Sequence, residues 1–213
     1  MAAPGLIAKK VGMTRVVDQD GRMIPVTLLE VQNQKVTKLL TPERDGYHAL
    51  QVGYFEKREK LLTKADVGRL RKVNLTENFA RFKELRLPAA VGEELQIGTT
   101  LDLSIFDGVK AVDVIGITKG RGFQGAIKRW GHAIGRMTHG SRFHRRPGSL
   151  GMRTTPGRVF KGKHQPGQMG NVQRTVLNVA LVEVNKDSNL IAIKGSVPGH
   201  RDGYLMVRPS IKS

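Results

Sequence analysis

The chain has 213 residues, 36 Lys or Arg against 18 Asp or Glu, a formal charge of +18 and no cysteine. The length suits one large domain or two small ones. The missing cysteines exclude disulfides, thiolate catalysis and Cys-ligated zinc, and the positive field draws polyanions, nucleic acid before anionic membrane. No stretch of 18 apolar residues is present, so no membrane-spanning helix is predicted. The first residues lack a signal-peptide apolar region and an Arg/Ser-rich presequence, which predicts a cytoplasmic protein.

In chain order, the predicted elements are mostly short strands. Leu6–Val11 and Thr14–Val17 come first, then the turn Asp18-Gln19-Asp20-Gly21 and an apolar, β-branched strand Met23–Gln32. Lys35–Leu40 and Tyr47–Tyr54 alternate in strand fashion about the loop Thr41–Gly46. Thr63–Lys72 and Thr76–Lys83 read as helices with Thr63 and Thr76 as N-caps. Strands follow at Glu94–Ile97, Thr100–Leu103 and Lys110–Thr118, and, after a long glycine-rich insert, at Thr175–Asn185, Leu190–Val197 and Tyr204–Val207. Strands and turns at roughly ten-residue spacing predict a mainly β fold closed into a barrel. The expected organisation is a barrel body over 1–118 and 175–213, an inserted helical subdomain over 58–90, and a glycine-rich basic extension over 119–174.

The charge is placed unevenly. From Val114 to Val182 there is no Asp or Glu, and the same 69 residues carry 13 Lys or Arg and four of the six His. The rest of the chain is nearly balanced at +5. Between Lys119 and Arg174 only 14 of 56 residues are hydrophobic, against about 44% elsewhere, and glycine is dense. Such a segment cannot bury enough apolar area to offset its ordering entropy. Trp130, Phe123, Phe143 and Phe160 are more than a flexible linker needs, which predicts a segment that orders against RNA.

Four features inside the insert invite a chemical reading. Gly120-Arg121-Gly122-Phe123-Gln124-Gly125 follows a strand and matches the dinucleotide fingerprint, so a nucleotide-binding enzyme is the alternative function. The ribose-binding acid that fingerprint wants about 20 residues on is missing, as is an alternating βαβ pattern. Close backbone approach to an RNA phosphate, flanked by Lys119 and Arg121, fits the same residues. Gly157-Arg158-Val159-Phe160-Lys161-Gly162-Lys163-His164 is one residue short of a phosphate loop, with His164 where a magnesium-binding hydroxyl belongs. His132, His139, His144 and His164 have no compact ligand spacing and no neighbouring carboxylate, so no metal or other cofactor is expected and the histidines are read as base-stacking or phosphate-donating groups. The turn-rich tip Phe143–Gly151 and Thr155–Gly157 places Arg145 and Arg146 beside glycines, where a thin backbone could pass between packed RNA helices.

The residues assigned to RNA binding are Lys119, Gly120, Arg121, Gly122, Phe123, Gly125, Lys128, Arg129, Trp130, His132, Arg136, His139, Arg142, His144, Arg145, Arg146, Gly148, Ser149, Gly151, Met152, Arg153, Thr154, Arg158, Lys161, Lys163, His164, Gln168 and Arg174. No catalytic residue, small-molecule substrate or membrane contact is predicted.

Several runs resemble the large-subunit ribosomal protein L-three family, in its short bacterial form. They are Phe106, Asp113, Gly116–Gly125 and Arg129, with Gly5–Thr14, Ile24–Thr27, Asp45–Tyr47, Lys128–Trp130, His144–Ser149, Thr155–Arg158, Phe160–Lys163, Gly167–Gly170 and Gly195–Gly199. The resemblance implies a translation-factor-like β-barrel with an inserted subdomain and a long internal extension. It further implies binding to 23S rRNA near the 3′ end, an early role in large-subunit assembly, an extension running toward the peptidyl-transferase centre with its apex about 148–155, and ribosomal proteins L-fourteen and L-nineteen as neighbours. Many bacterial members carry Gln-Asn-Gln at the apex, the first Gln N-methylated in some. Here Met152-Arg153-Thr154 stands there, so that modification is excluded at Met152.

Overall fold

The computed structural model describes residues 5–18, 20–87 and 95–212, with the side chain of Ala80 left aside. The chain divides into two compact units, 1–117 with 173–213, and 118–172.

The first unit is built on β1 (Leu6–Val17), β2 (Met23–Glu30), β3 (Gln34–Leu40), β4 (Ala49–Glu56), β5 (Phe79–Arg86), β6 (Ala111–Ile117), β9 (Gln173–Asn185), β10 (Leu190–Lys194) and β11 (Tyr204–Pro209). Six of these close a barrel in the order β1-β11-β6-β9-β10-β2. Every pairing is antiparallel. Closure hides the strand edges that a basic, partly apolar sheet would otherwise expose. Alternate residues point inward, so Leu6, Leu29, Val112, Val114, Ile191, Ile193 and Val207 fill the interior. Each such side chain contributes about 1.5–3 kcal/mol by leaving water.

β3, β4 and β5 make a separate sheet whose Val36, Leu50 and Val52 join the same core. Gln34 is fully buried, yet its amide is satisfied: Oε1 accepts from the Ile7 amide at 3.0 Å and Nε2 donates to the Ile7 carbonyl at 3.3 Å. Buried Asp113 likewise accepts from the Asn178 amide at 3.0 Å and meets Arg208 Nη2 at 3.3 Å. Asn178 has φ 53°, and the β6–β9 register shifts there, so Asp113 pins a bulge in β9.

The two predicted strands at the N-terminus are one, β1, with a register shift between Lys10 and Gly12. Thr41–Gly46 is a single helical turn, α1 (Pro42–Asp45), begun by Pro42 and ended by Gly46 at φ 83°. α2 (Lys64–Lys72) starts where predicted, with Thr63 Oγ1 accepting from the Asp66 amide at 3.2 Å.

The second predicted helix is a correction. Thr76–Lys83 does not form one; Phe79–Arg86 is β5, paired along its length with β4, and Phe79 is fully buried. Pairing with β4 and burial of Phe79 outweigh the weak local helical preference. The 58–90 segment therefore mixes a helix and a strand within its described residues. Thr100–Leu103 is not a strand either: Thr100 bridges Lys35, and Leu103–Phe106 is a 3-10 turn that buries Leu103 and Phe106. Glu94 lies outside the described residues, and Gln96 to Gly98 contain a turn rather than a strand.

Candidate nucleic-acid interface

Residues 118–172 begin and end with a clasp. The Thr118 amide donates to the Val172 carbonyl at 3.0 Å and the Asn171 amide to the Thr118 carbonyl at 3.2 Å. The Thr118 hydroxyl donates to the Val172 carbonyl at 3.2 Å, and its oxygen accepts from the Val172 amide at 3.3 Å. The Arg121 amide then reaches the Met169 carbonyl at 2.9 Å, and β7 (Gly122–Gln124) pairs with β8 (Gly167–Met169). Gly170 makes this closure possible. Its φ is +72°, and a Cβ there would lie 2.0 Å from the Lys119 carbonyl oxygen.

A short helix, α3 (Ala126–Trp130), follows β7 and ends at Gly131 in the left-handed region. It presents Arg129 and Trp130 to one acceptor: Arg129 Nη1 and Trp130 Nε1 donate to the Gln165 carbonyl at 2.8 and 2.9 Å. His164 stacks on Trp130, centroids 4.1 Å apart and planes 6° apart, while the Arg129 guanidinium lies 5.0 Å from the indole centroid. His132 sits 6.0 Å from His164. Cation–π and stacking contacts of this kind are worth about 0.5–1.5 kcal/mol each.

Beyond this ladder the chain turns on local contacts. The Gly135 amide donates to the His144 carbonyl at 2.8 Å, and the Phe143 ring packs over Gly135 and Gly148. Farther along the chain, Ser149 Oγ donates to the Gly151 carbonyl at 3.1 Å, and Arg158 lies over Phe160.

Ala126 is the only buried residue of this unit. Lys119, Arg121, Lys128, Arg136, Arg142, Arg145, Arg146, Arg153, Arg158, Lys161 and Lys163 are all exposed, and Arg129 is half-buried. Among the described residues, no cation of 118–172 is in a salt bridge, whereas all six ion pairs belong to the barrel unit. A concentration of unpaired cations on a glycine-rich backbone carries donors without a proton acceptor of the carboxylate type. It can neutralise phosphates and stack bases.

The structure brings some predicted residues together and separates others. Arg129, Trp130, His132 and His164 form one cluster, Gly122 and Phe123 lie on β7, and Gln168 lies on β8 across from Phe123. Gly120 and Gly125 flank β7, His139 and His144 take positive φ in the turns, and Gly148, Ser149, Gly151, Met152, Arg153 and Thr154 are all exposed. Arg174 is not in this unit: it lies on β9 opposite Gly116, because the barrel ladder extends to Gln173. The glycine fingerprint leads into an antiparallel two-strand pairing and a five-residue helix, not a βαβ unit. No helix follows Gly162-Lys163. Sequence reasoning passed over Gln165, whose backbone carbonyl organises the ladder, because any residue offers that group. Gly167 and Gly170 were the available signal: two glycines at the return of the insert mark a close approach of backbones.

Fold and site define a class: a closed antiparallel barrel with an acid-free, glycine-rich cationic unit between two of its strands. The sequence model described as Ribosomal protein L3 matches residues 90–189. Large ribosomal subunit protein uL3 of Alkaliphilus metalliredigens is 46% identical over 208 residues, 98% of each chain. The proteins of the same name from Acholeplasma laidlawii and Alteromonas mediterranea are 46% and 43% identical over 213 and 212 residues, covering 99% of this chain and 98% and 100% of theirs. The chain belongs to the ribosomal protein L3 family.

Proposed function

We propose that this chain is a structural constituent of the large ribosomal subunit, working in the cytoplasm, that binds 23S rRNA directly, helps nucleate subunit assembly and catalyses no reaction. Residues 118–172 are the principal RNA contact, with the apex near 148–155 directed toward the peptidyl-transferase centre. The barrel unit is the expected neighbour of ribosomal proteins L-fourteen and L-nineteen. One observation carries the reading: exposed cations with no acid, no ion pair and one buried residue lie in a single unit. Phosphate neutralisation supplies affinity to such a surface, and the shape of the folded RNA supplies specificity.

The test is co-sedimentation of the full chain with large subunits through a moderate salt wash, together with the salt dependence of binding to 23S rRNA. With roughly eight to twelve phosphate contacts, log K falls against log salt with a slope of about −6 to −10. A slope near zero, or a chain left at the top of the gradient, would sink the proposal. The alternative, a nucleotide-binding enzyme using Gly120 to Gly125, requires nucleotide binding by RNA-free protein.

A further inference from the structure

The β1/β2 hairpin runs past the barrel. β11 pairs with β1 only over Leu6–Lys9, with Lys10 still bonded to Asp202 and Gly203. β10 pairs with β2 over Val26–Glu30, and the Gly195 amide donates to the Pro25 carbonyl at 2.7 Å. From Met13 to Val17, β1 has only β2 beside it among the described residues.

The register fixes which backbone groups are spare. The Asp18 amide donates to the Arg22 carbonyl, so even-numbered residues of this stretch face β2. Pro25 faces β10, so its partner Arg15 belongs to a non-hydrogen-bonded pair. The amides and carbonyls of Met13, Arg15 and Val17 therefore point away from β2, and among the described residues nothing pairs with them. The same three side chains share a face with Met23 and Pro25. Met13, Val17 and Met23 are 53%, 60% and 65% exposed, and Arg15 is exposed and outside every ion pair among the described residues. An edge with alternating donors and acceptors, flanked by apolar side chains, is a template for another strand.

We infer that the Met13–Val17 edge of β1 receives an extended segment of another protein, which adds as a strand with apolar side chains opposite Met13 and Val17 and a carboxylate opposite Arg15. RNA suits this edge poorly. Phosphate oxygens accept from amides but give nothing to the carbonyls, Met13, Val17 and Met23 want apolar cover, and Asp18 and Asp20 place carboxylates at the hairpin turn. The cation-rich unit at 118–172 has the opposite character.

The inference rests on residence in the large subunit, and the experiment separates the two. Arg15→Pro removes one outward amide and blocks the edge while keeping every bond between β1 and β2. It should leave the melting temperature within about 2 °C. In large subunits, amide exchange at Met13, Arg15 and Val17 should be slowed about 100-fold or more relative to the free chain. Arg15→Pro should cost salt-resistant incorporation, and Arg15→Val should cost less. Arg15→Cys gives the chain its single thiol. A benzophenone placed there should yield an adduct within the subunit that resists ribonuclease, is destroyed by protease, and maps to a segment with the apolar–x–acid–x–apolar pattern. An adduct to RNA, no adduct, unprotected amides, or normal incorporation of Arg15→Pro would each overturn the inference while the wild type still co-sediments. Failure of the wild type to co-sediment would overturn both readings.

Discussion

Gly170→Ala tests whether the basic unit is held by its backbone clasp. The substitution forces alanine into φ +72°, which costs about 1–2 kcal/mol. It also places a Cβ 2.0 Å from the Lys119 carbonyl oxygen, so the two backbones must part by more than 1 Å to reach ordinary contact at 3.4–4 Å. That parting weakens the Asn171–Thr118 and Thr118–Val172 bonds, at about 1 kcal/mol each. Gly162→Ala is the matched control: φ is +78°, with nothing within 4 Å of the added carbon. The difference between the two variants isolates the clash at about 2 kcal/mol, or roughly 30-fold in a local opening equilibrium. Hydrogen exchange on the free full-length chain reads it directly. The amides of Arg121, Asn171 and Val172 should exchange about 30-fold faster in Gly170→Ala than in Gly162→Ala, while β1 and β10 stay protected. If the two variants exchange alike, the clasp does not order the unit and the argument from Gly170 fails.

Other outcomes follow from the same geometry. Asp113→Ala strands Arg208 and the Asn178 amide; it should cost about 2–3 kcal/mol and lower the melting temperature by about 4–12 °C, measured by circular dichroism. Hydrogen bonds from Lys35, Lys38 and Lys9 hold the carboxyls of Glu77, Asp45 and Asp202 below their ordinary values. Their stabilisation is whole above the unfolded carboxylate range and is lost as pH falls through the lower folded values. The melting temperature should therefore drop on acidification in that range, and Lys35→Met should make the drop shallower. His164→Ala uncovers the indole of Trp130, the chain's single tryptophan, so emission should move to longer wavelength with the barrel's melting unchanged.

The barrel was largely legible because its strands carry their signal locally. Alternation in Lys35–Leu40 and the β-branched runs at Lys110–Thr118 and Leu190–Val197 report a half-buried pleat wherever they are. β5 was not legible. Phe79, Phe82 and Leu85 recur at three-residue intervals, which suits a helix face, and only β4 across the sheet makes them a strand. The acid-free window was plain from charge alone, and its poverty in apolar residues agrees with Ala126 being its one buried residue. Hidden from sequence was how such a segment holds any shape, because its ties are backbone carbonyls of Val172, Met169 and Gln165, which carry no residue signature.

That difference separates two sources of order within one chain. The barrel orders by burying side chains, so its stability resists salt and reports on core substitutions. The basic unit orders through the Thr118–Val172 clasp, a three-residue strand pair and the Arg129–Trp130–His164 ladder, a few kcal/mol in sum by the usual worth of such contacts. Between Gly131 and Lys163 the unit buries nothing, so the repulsion among its exposed cations is opposed there only by turns and ring contacts. A polyanion reverses the sign of that repulsion. It should therefore tighten 132–163 far more than the β7/β8 pair, and hydrogen exchange with and without 23S rRNA should show protection gained mainly over 132–163. Equal gain across the barrel strands would mean that the RNA orders the whole chain and that the division drawn here is wrong.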